Sequence, residues 1–162
     1  MPDLAFTVPG PPHGKGRPRA SLRGAHIRMY TDAKTVAYED RVGLCAIQAM
    51  RDVLWGKPKA GPIDVVITAY RKRPKRPPKT HECRTGHRVF TVDTDGPRRL
   101  CTAKPDGDNI AKAVLDACNH AGVWRDDTQV ASLSVLKVWA REGEAPRADV
   151  RITCYPPPEV TA

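Results

Sequence analysis

The sequence has few of the features that mark secreted or membrane proteins. No apolar run approaches the roughly 18 residues of a transmembrane helix. The start, MPDLAFTVPGPP, has neither the basic nor the apolar part of a signal peptide. The five cysteines are scattered and form no CxxC pair, unlike the cysteines of a disulfide framework. We therefore expect a soluble, cytoplasmic protein with reduced thiols.

Acidic residues are scarce relative to basic ones: 27 Lys and Arg stand against 18 Asp and Glu, a net charge of +9. Such an excess is typical of proteins that bind nucleic acid, and less so of proteins that bind acidic membranes. Two segments hold much of the excess and are predicted to be basic loops: 10–28, which is rich in Gly and Pro, and 71–79, which holds three prolines. Solvated linkers have the same composition, but clustered cations also supply the sequence-independent part of DNA binding. The candidate DNA contacts in these loops are Lys15, Arg17, Arg19, Arg73, Lys75 and Arg76.

The length of 162 residues suits one domain with a substantial core. Apolar periodicity predicts strands at 4–8, 63–70, 129–139 and 148–155, and a hairpin at 88–103. It also predicts one helix capped by Thr31 or Asp32 and running to about Leu54, and a second capped by Asp106 or Asp108 and running through Asn119. This order favours an α/β or α+β domain in which two main helices pack on a mixed β-sheet.

The aspartates, unlike the other acids, are concentrated in KPDGDNIAKAVLDACNHAGVWRDDTQ, residues 104–129. Steps of four place Asp108, Lys112 and Asp116 on one helix face, opposite the apolar stripe. Carboxylates in a basic protein suggest Mg²⁺, which is held by one or two of them while other positions stay open for water and phosphate. Aspartate is equally favoured in helix caps and turns, so spacing alone leaves a metal site and capping evenly matched.

The same segment resembles the signature of the RusA family of Holliday-junction resolvases: DxDNxxK, then DAL or a similar triplet, then DDxQ. The match is ungapped over 27 residues, 104–130. The resemblance implies a RusA-like fold over 1–162. It also implies metal-binding and catalytic carboxylates at Asp106, Asp108 and Asp127, with an essential Lys112.

The remaining motif positions receive supporting roles under this resemblance. Asn109 and Gln129 are expected to orient the site. Neighbouring side chains of an extended segment point opposite ways, so only one residue of the pair Asp126 and Asp127 should face the metal, and we choose Asp127. Asp116 lies two turns beyond the helix start, which favours a structural role.

The resemblance further implies Mg²⁺-dependent hydrolysis of DNA phosphodiesters, with Mn²⁺ as a possible substitute, in recombination and repair. Family members are homodimers, and a four-way junction has near two-fold symmetry, so paired nicks by two sites are expected. The host would be a bacterium or a phage-infected cell. Lys137, at a position where the family often carries lysine, is a further candidate DNA contact.

Alternatives stay open at this point. The stretch 71–102 is longer than the family core needs, which leaves a broader nuclease of forks or flaps as one alternative. A non-catalytic DNA-binding module, such as a degenerate phage relative, is another. A zinc-stabilised structural protein is the weakest, because His81, Cys83, His87 and Cys101 follow no common zinc-ligand spacing.

Overall fold

The computed structural model describes residues 3–17, 19–23, 26–55, 61–74 and 100–155. Its elements, in chain order, are β1 (Leu4–Pro9), β2 (Arg19–Arg23), β3 (His26–Tyr30), α1 (Ala33–Asp52), β4 (Ile63–Arg71), α2 (Gly107–His120), a 3₁₀ turn (Asp127–Gln129), β5 (Val130–Trp139) and β6 (Arg147–Cys154). Both predicted helices and all four predicted strands outside the 88–103 hairpin are present. The predicted hairpin lies outside the described residues except for its last four.

Four strands form one mixed sheet in the order β1-β6-β4-β5. β6 runs antiparallel to both β1 and β4, whereas β4 and β5 are parallel. A parallel pair needs a crossover connection, and α2 lies within the one that joins β4 to β5. The predicted α+β architecture with a mixed sheet is confirmed.

The core lies between the two helices and one face of this sheet. β4 alternates buried Val65 and Ile67 with more exposed neighbours, as expected for a sheet covered on one side. The predicted apolar stripe of α2 is buried against it, and α1 contributes Val42 and Ala46. At the far end of α1, the indole Nε1 of Trp55 donates to the Val123 carbonyl at 3.0 Å, which fixes the segment after α2 to the end of α1.

The loop prediction for 10–28 is wrong in its second half. β2 and β3 form a separate antiparallel hairpin whose register pairs Ala20 with Met29 and Leu22 with Ile27. Apolar residues alternate with polar ones in both stretches, which is the period of a strand. The Gly and Pro content of the preceding residues hid this pattern, because it favours a loop over the whole segment.

The start of α1 agrees with the prediction. Asp32 is the N-cap of α1, and its carboxylate accepts from the Lys34 amide at 3.2 Å. Among the residues that the structure describes, no helix has both the length and the apolar character needed to cross a bilayer.

Candidate functional site

The first turn of α2 is held in place by the loop that follows β1. Gly14 packs so closely here that a Cβ on it would lie 2.7 Å from the Cβ of Pro105 and 3.0 Å from that of Asn109. The Lys15 amide donates to the Asn109 carbonyl at 2.8 Å. A side chain on Gly14 would push the loop away, so glycine is required for this contact.

Arg71, the last residue of β4, ties the same loop to the segment before α2. Its guanidinium donates to the Pro12 carbonyl at 2.7 Å and to the Lys104 carbonyl at 2.8 Å. Sequence reasoning placed Arg71 in a basic run and missed this role. The one sequence signal for this structural role was the position of Arg71 at the end of a predicted strand.

Two of the predicted ligands, Asp106 and Asp108, stand together at this helix start. Asp106 is the N-cap residue of α2, yet its side chain makes no capping hydrogen bond. Asp108 lies in the first turn, and both residues are exposed. The positive end of the helix dipole stabilises carboxylates here. Helix capping therefore does not explain why an aspartate stands at position 106, because its carboxylate is not used for a capping hydrogen bond.

The end of β5 lies beside this helix start. A Cβ on Gly107 would lie 3.7 Å from the Val135 side chain and 3.8 Å from that of Lys137. The Lys137 ammonium donates to the Ala103 carbonyl at 2.8 Å, and the Cys101 amide donates to the Lys137 carbonyl at 2.9 Å. Lys137 thus lies beside the acidic helix start and holds the segment that leads into it.

Lys112 is exposed, and no ion pair forms between it and a carboxylate among the described side chains. Asp116, one turn further along α2, pairs instead with Lys15, whose ammonium is also 3.3 Å from Glu39. Among the described side chains, the shared helix face of Asp108, Lys112 and Asp116 therefore holds no salt bridge between these three residues. Asp116 anchors the basic loop, which fits the structural role that we favour for it.

The pKa of Lys15 reflects this environment. Partial burial alone would lower it, but the hydrogen bond to Asp116 and the charges of Asp116 and Glu39 outweigh that effect, so the pKa is raised above its ordinary 10.5. Lys15 is a predicted DNA contact whose charge is compensated within the protein. Neither of its carboxylate partners could be assigned from sequence, because they lie far from it along the chain.

Only one of the paired aspartates is in extended backbone, whereas we expected both to be: Asp126 is extended and Asp127 begins a 3₁₀ turn. Asp126 caps the 3₁₀ turn by accepting from the Thr128 amide at 2.9 Å, while Asp127 is the first residue of that turn and is exposed. The hydrogen bonds from Thr128 lower the pKa of the Asp126 carboxyl. Asp126 is therefore engaged in structure, and Asp127 remains available.

Gln129 completes a capping box for this turn. Its side-chain oxygen Oε1 accepts from the Arg125 backbone amide at 3.0 Å and the Asp126 backbone amide at 3.4 Å. Its side-chain nitrogen Nε2 donates to the Gly61 carbonyl at 3.0 Å, just before β4. Gln129 thus positions Asp127 by holding the turn, consistent with the orienting role expected of it.

Asp127 does not join Asp106 and Asp108 within one chain. α2 runs antiparallel to β5: its first residue lies beside Val135 and Lys137, whereas Asp127 immediately precedes the start of β5. Val130 and Lys137 are seven strand residues apart, or roughly 23 Å. In the described part of the chain, no three His, Cys, Asp or Glu side chains are grouped to hold a metal ion.

The other predicted DNA contacts are less completely placed. Arg17 is exposed in the loop before β2, Arg19 is the first residue of β2, and Arg73 is exposed just after β4. Lys75 and Arg76 lie outside the described residues.

Three residues of the zinc alternative, His81, Cys83 and His87, also lie outside the described residues. Its fourth member, Cys101, is a buried free thiol. Burial also raises the pKa of the Cys118 thiol to about 12, so this thiol stays protonated.

Together these features define a basic α+β protein that presents two unengaged carboxylates and a lysine on one helix. The sequence model of the family described as "Endodeoxyribonuclease RusA" matches residues 9–153. The chain is also 32% identical over 152 residues to "Uncharacterized protein YqaN" of Bacillus subtilis (strain 168), covering 94% of this chain and 96% of that protein. The chain belongs to the RusA endodeoxyribonuclease family. Membership implies endonucleolytic hydrolysis of DNA.

Proposed function

We propose that this protein is a divalent-cation-dependent, structure-selective endodeoxyribonuclease that resolves four-way DNA junctions by paired nicks, in recombination and repair in the cytoplasm. The observation that carries the proposal is the pair Asp106 and Asp108 at the start of α2. Both carboxylates are exposed, and the N-cap carboxylate is not used for capping. In a family of endodeoxyribonucleases, a free acidic pair is best explained by chemistry on phosphate.

Mg²⁺ is the proposed cofactor, with Mn²⁺ as a substitute. The donor set fits such a cation in chemical kind, since Mg²⁺ and Mn²⁺ prefer carboxylate oxygens. One chain does not bring all three proposed ligands together, because Asp127 lies at the other end of the sheet from Asp106 and Asp108. A single protomer therefore supplies an incomplete set of the three proposed ligands.

The cations of the chain have a distinct part in the proposal. The acidic pair would repel DNA, and Lys112, one turn from Asp108 and without an ion-pair partner among the described side chains, offsets this repulsion near the phosphate. Arg17 and Arg73 are exposed on segments that flank the sheet, where they would hold the DNA backbone. Lys15 contributes by fixing the loop, since its own charge is compensated.

The proposal also includes a homodimer. Two symmetry-related copies present two equivalent sites, and this matches the near two-fold symmetry of a four-way junction. Paired nicks on opposing strands then require no change of orientation between the two cuts.

Cleavage of matched DNA substrates tests the proposed activity. A labelled four-way junction, a fork, a flap and a linear duplex of the same sequence are incubated with protein and Mg²⁺. The wild-type protein is expected to nick the junction in preference to the duplex. Asp108→Asn and Lys112→Gln are each expected to lower the rate by about 10²-fold or more, the scale of a lost electrostatic contact in a catalytic site.

Asp40→Asn is the matched control, because Asp40 is an exposed aspartate on α1. It should cut as the wild type does. Preference for the fork or flap would favour the broader branched-DNA nuclease. Salt-sensitive junction binding without cleavage at any divalent-ion concentration, or full cleavage by Asp108→Asn, would overturn the catalytic proposal.

A further inference from the structure

Arg71 is a cation whose donors are directed at backbone carbonyls rather than at acids. Its Nη1 donates to the Pro12 carbonyl at 2.7 Å, and its Nη2 donates to the Lys104 carbonyl at 2.8 Å. In the described part of the chain, no carboxylate forms an ion pair with it. Charged donors make stronger hydrogen bonds than neutral ones, and the planar guanidinium holds two acceptors at a fixed separation. Arg71 is therefore a cross-link between the loop after β1 and the segment that leads into α2.

The base of this cross-link is fixed by the sheet. β4 lies between β6 and β5, and its pairing with β5 extends to its last residue, Arg71. The Arg71 carbonyl accepts from the Ala140 amide at 2.8 Å. On the neighbouring strand, the Lys137 ammonium donates to the Ala103 carbonyl. Two successive carbonyls, those of Ala103 and Lys104, are thus held by cations from two adjacent parallel strands.

The segment held in this way ends two residues before Asp106. Asp106 makes no capping hydrogen bond, and among the described side chains neither Asp106 nor Asp108 forms an ion pair. The separation of these two carboxylates therefore depends on the path of the backbone into α2. The loop on the other side of the cross-link also reaches the first turn of α2, where the Lys15 amide donates to the Asn109 carbonyl. Arg71 thus fixes this path from both sides, before the helix and within its first turn.

We propose that Arg71 is a positioning residue for the acidic pair: it holds the backbone over residues 104–109 so that Asp106 and Asp108 keep the separation that one divalent ion requires. Mg²⁺ accepts little deviation from octahedral geometry, so a small shift of either carboxylate weakens its binding. Groups that orient metal ligands typically contribute about 10- to 100-fold to metal affinity or activity. This inference rests on the proposed nuclease function, and it adds a residue outside the acidic motif on which the metal site depends.

Two substitutions of Arg71 and one of a matched arginine test this role. Arg71→Met removes both hydrogen bonds. Arg71→Lys keeps the charge, but an ammonium lacks the planar fork that spans both carbonyls, so one of the two contacts is lost. Arg41→Met is the control, because the Arg41 guanidinium donates to the Pro9 carbonyl at 3.2 Å, at the other end of the same loop.

Three properties of each variant are compared with those of the wild type. Arg71→Met is expected to bind Mn²⁺ about 10-fold more weakly, measured by electron paramagnetic resonance, and to turn over saturating junction DNA about 10- to 100-fold more slowly. Its junction affinity without divalent ions, and the salt dependence of that affinity, should be unchanged, because in this role Arg71 contacts no phosphate.

Hydrogen exchange in the metal-free protein is the third property, and it depends on neither metal nor DNA. The Ile110 amide, which donates to the Asp106 carbonyl at 3.1 Å, should exchange faster in Arg71→Met because the first turn of α2 is less firmly held. Arg71→Lys should fall between Arg71→Met and the wild type in Mn²⁺ affinity, turnover and exchange. Arg41→Met should match the wild type in all three, even if its melting temperature falls as far.

The outcomes separate this role from the proposed function. If the wild type binds Mn²⁺ and cuts, and Arg71→Met loses no more of either property than Arg41→Met does, the positioning role is wrong and the function stands. Weaker, less salt-dependent junction binding with unchanged Mn²⁺ affinity would make Arg71 a DNA contact instead. Full restoration by Arg71→Lys would show that charge alone is needed, which would also overturn the role.

Folding is covered by the same set of variants. If Arg71→Met does not fold, the comparison of Arg71→Lys with Arg41→Met decides by the same criteria. If the wild type itself neither binds Mn²⁺ nor cuts, the proposed function fails, and the positioning role fails with it.

Discussion

At the scale of single residues, the cations of this protein are of two kinds: some pair with carboxylates and hold the fold together, and others are exposed. Lys15 and Arg17 lie two positions apart in one loop, yet Lys15 contacts two carboxylates whereas Arg17 is exposed. Sequence reasoning treats them alike because both are cations in a Gly- and Pro-rich segment. Their surroundings, which depend on α1 and α2, give them different functions.

Lys15→Met is expected to destabilise the fold by about 1–2 kcal/mol, because it leaves the partly buried carboxylates of Asp116 and Glu39 without their cation. Urea unfolding measures this loss. Arg17→Met is the control and should stay within about 0.5 kcal/mol of the wild type, as exposed substitutions usually do. It should instead weaken junction binding and reduce its salt dependence. Equal unfolding free energies for the two variants would contradict the anchoring role.

The effect of pH on the Lys15 contact has a definite sign. The folded-state pKa is raised, so the contribution of Lys15 to stability is fully present below its ordinary value of 10.5 and is lost as the pH rises through the folded-state value. The stability difference between the wild type and Lys15→Met should therefore be constant from neutral pH to about pH 9 and shrink above about pH 10.5. A difference that vanishes near neutral pH would contradict this assignment.

How far the sequence predicts the site depends on how local each interaction is. The start of α2, its buried stripe and the exposure of Lys112 follow from spacing within one helix. The pairing of Asp116 with Lys15 and the tie from Arg71 to Lys104 join residues that are remote in sequence, and no local pattern encodes them. The capping role of Asp126 was missed because a 3₁₀ turn of three residues has too short a pattern to detect.

At the scale of elements, β5 pairs with β4 along its length and forms one edge of the described sheet. The strand itself was predicted correctly from apolar periodicity. Its place at the edge was not, because strand order depends on the connections between distant segments. The hairpin of β2 and β3 was missed for a different reason, since composition was weighted above alternation.

At the scale of the whole molecule, the acidic and basic groups of the proposed site are distributed over the two ends of the sheet. One protomer holds the exposed carboxylates of Asp106 and Asp108 at one end of the sheet and that of Asp127 at the other. The basic loop between β1 and β2 and the residues after β4 lie at the end that carries Asp106.

The location of a bound divalent ion tests this account most directly. Crystals of the wild-type protein grown with Mn²⁺ would show the ion by its anomalous scattering. We predict Mn²⁺ at the carboxylates of Asp106 and Asp108, with oxygen ligands at about 2.1–2.2 Å, close to the short distances of Mg²⁺. A Mn²⁺ ion located away from Asp106 and Asp108 would contradict it.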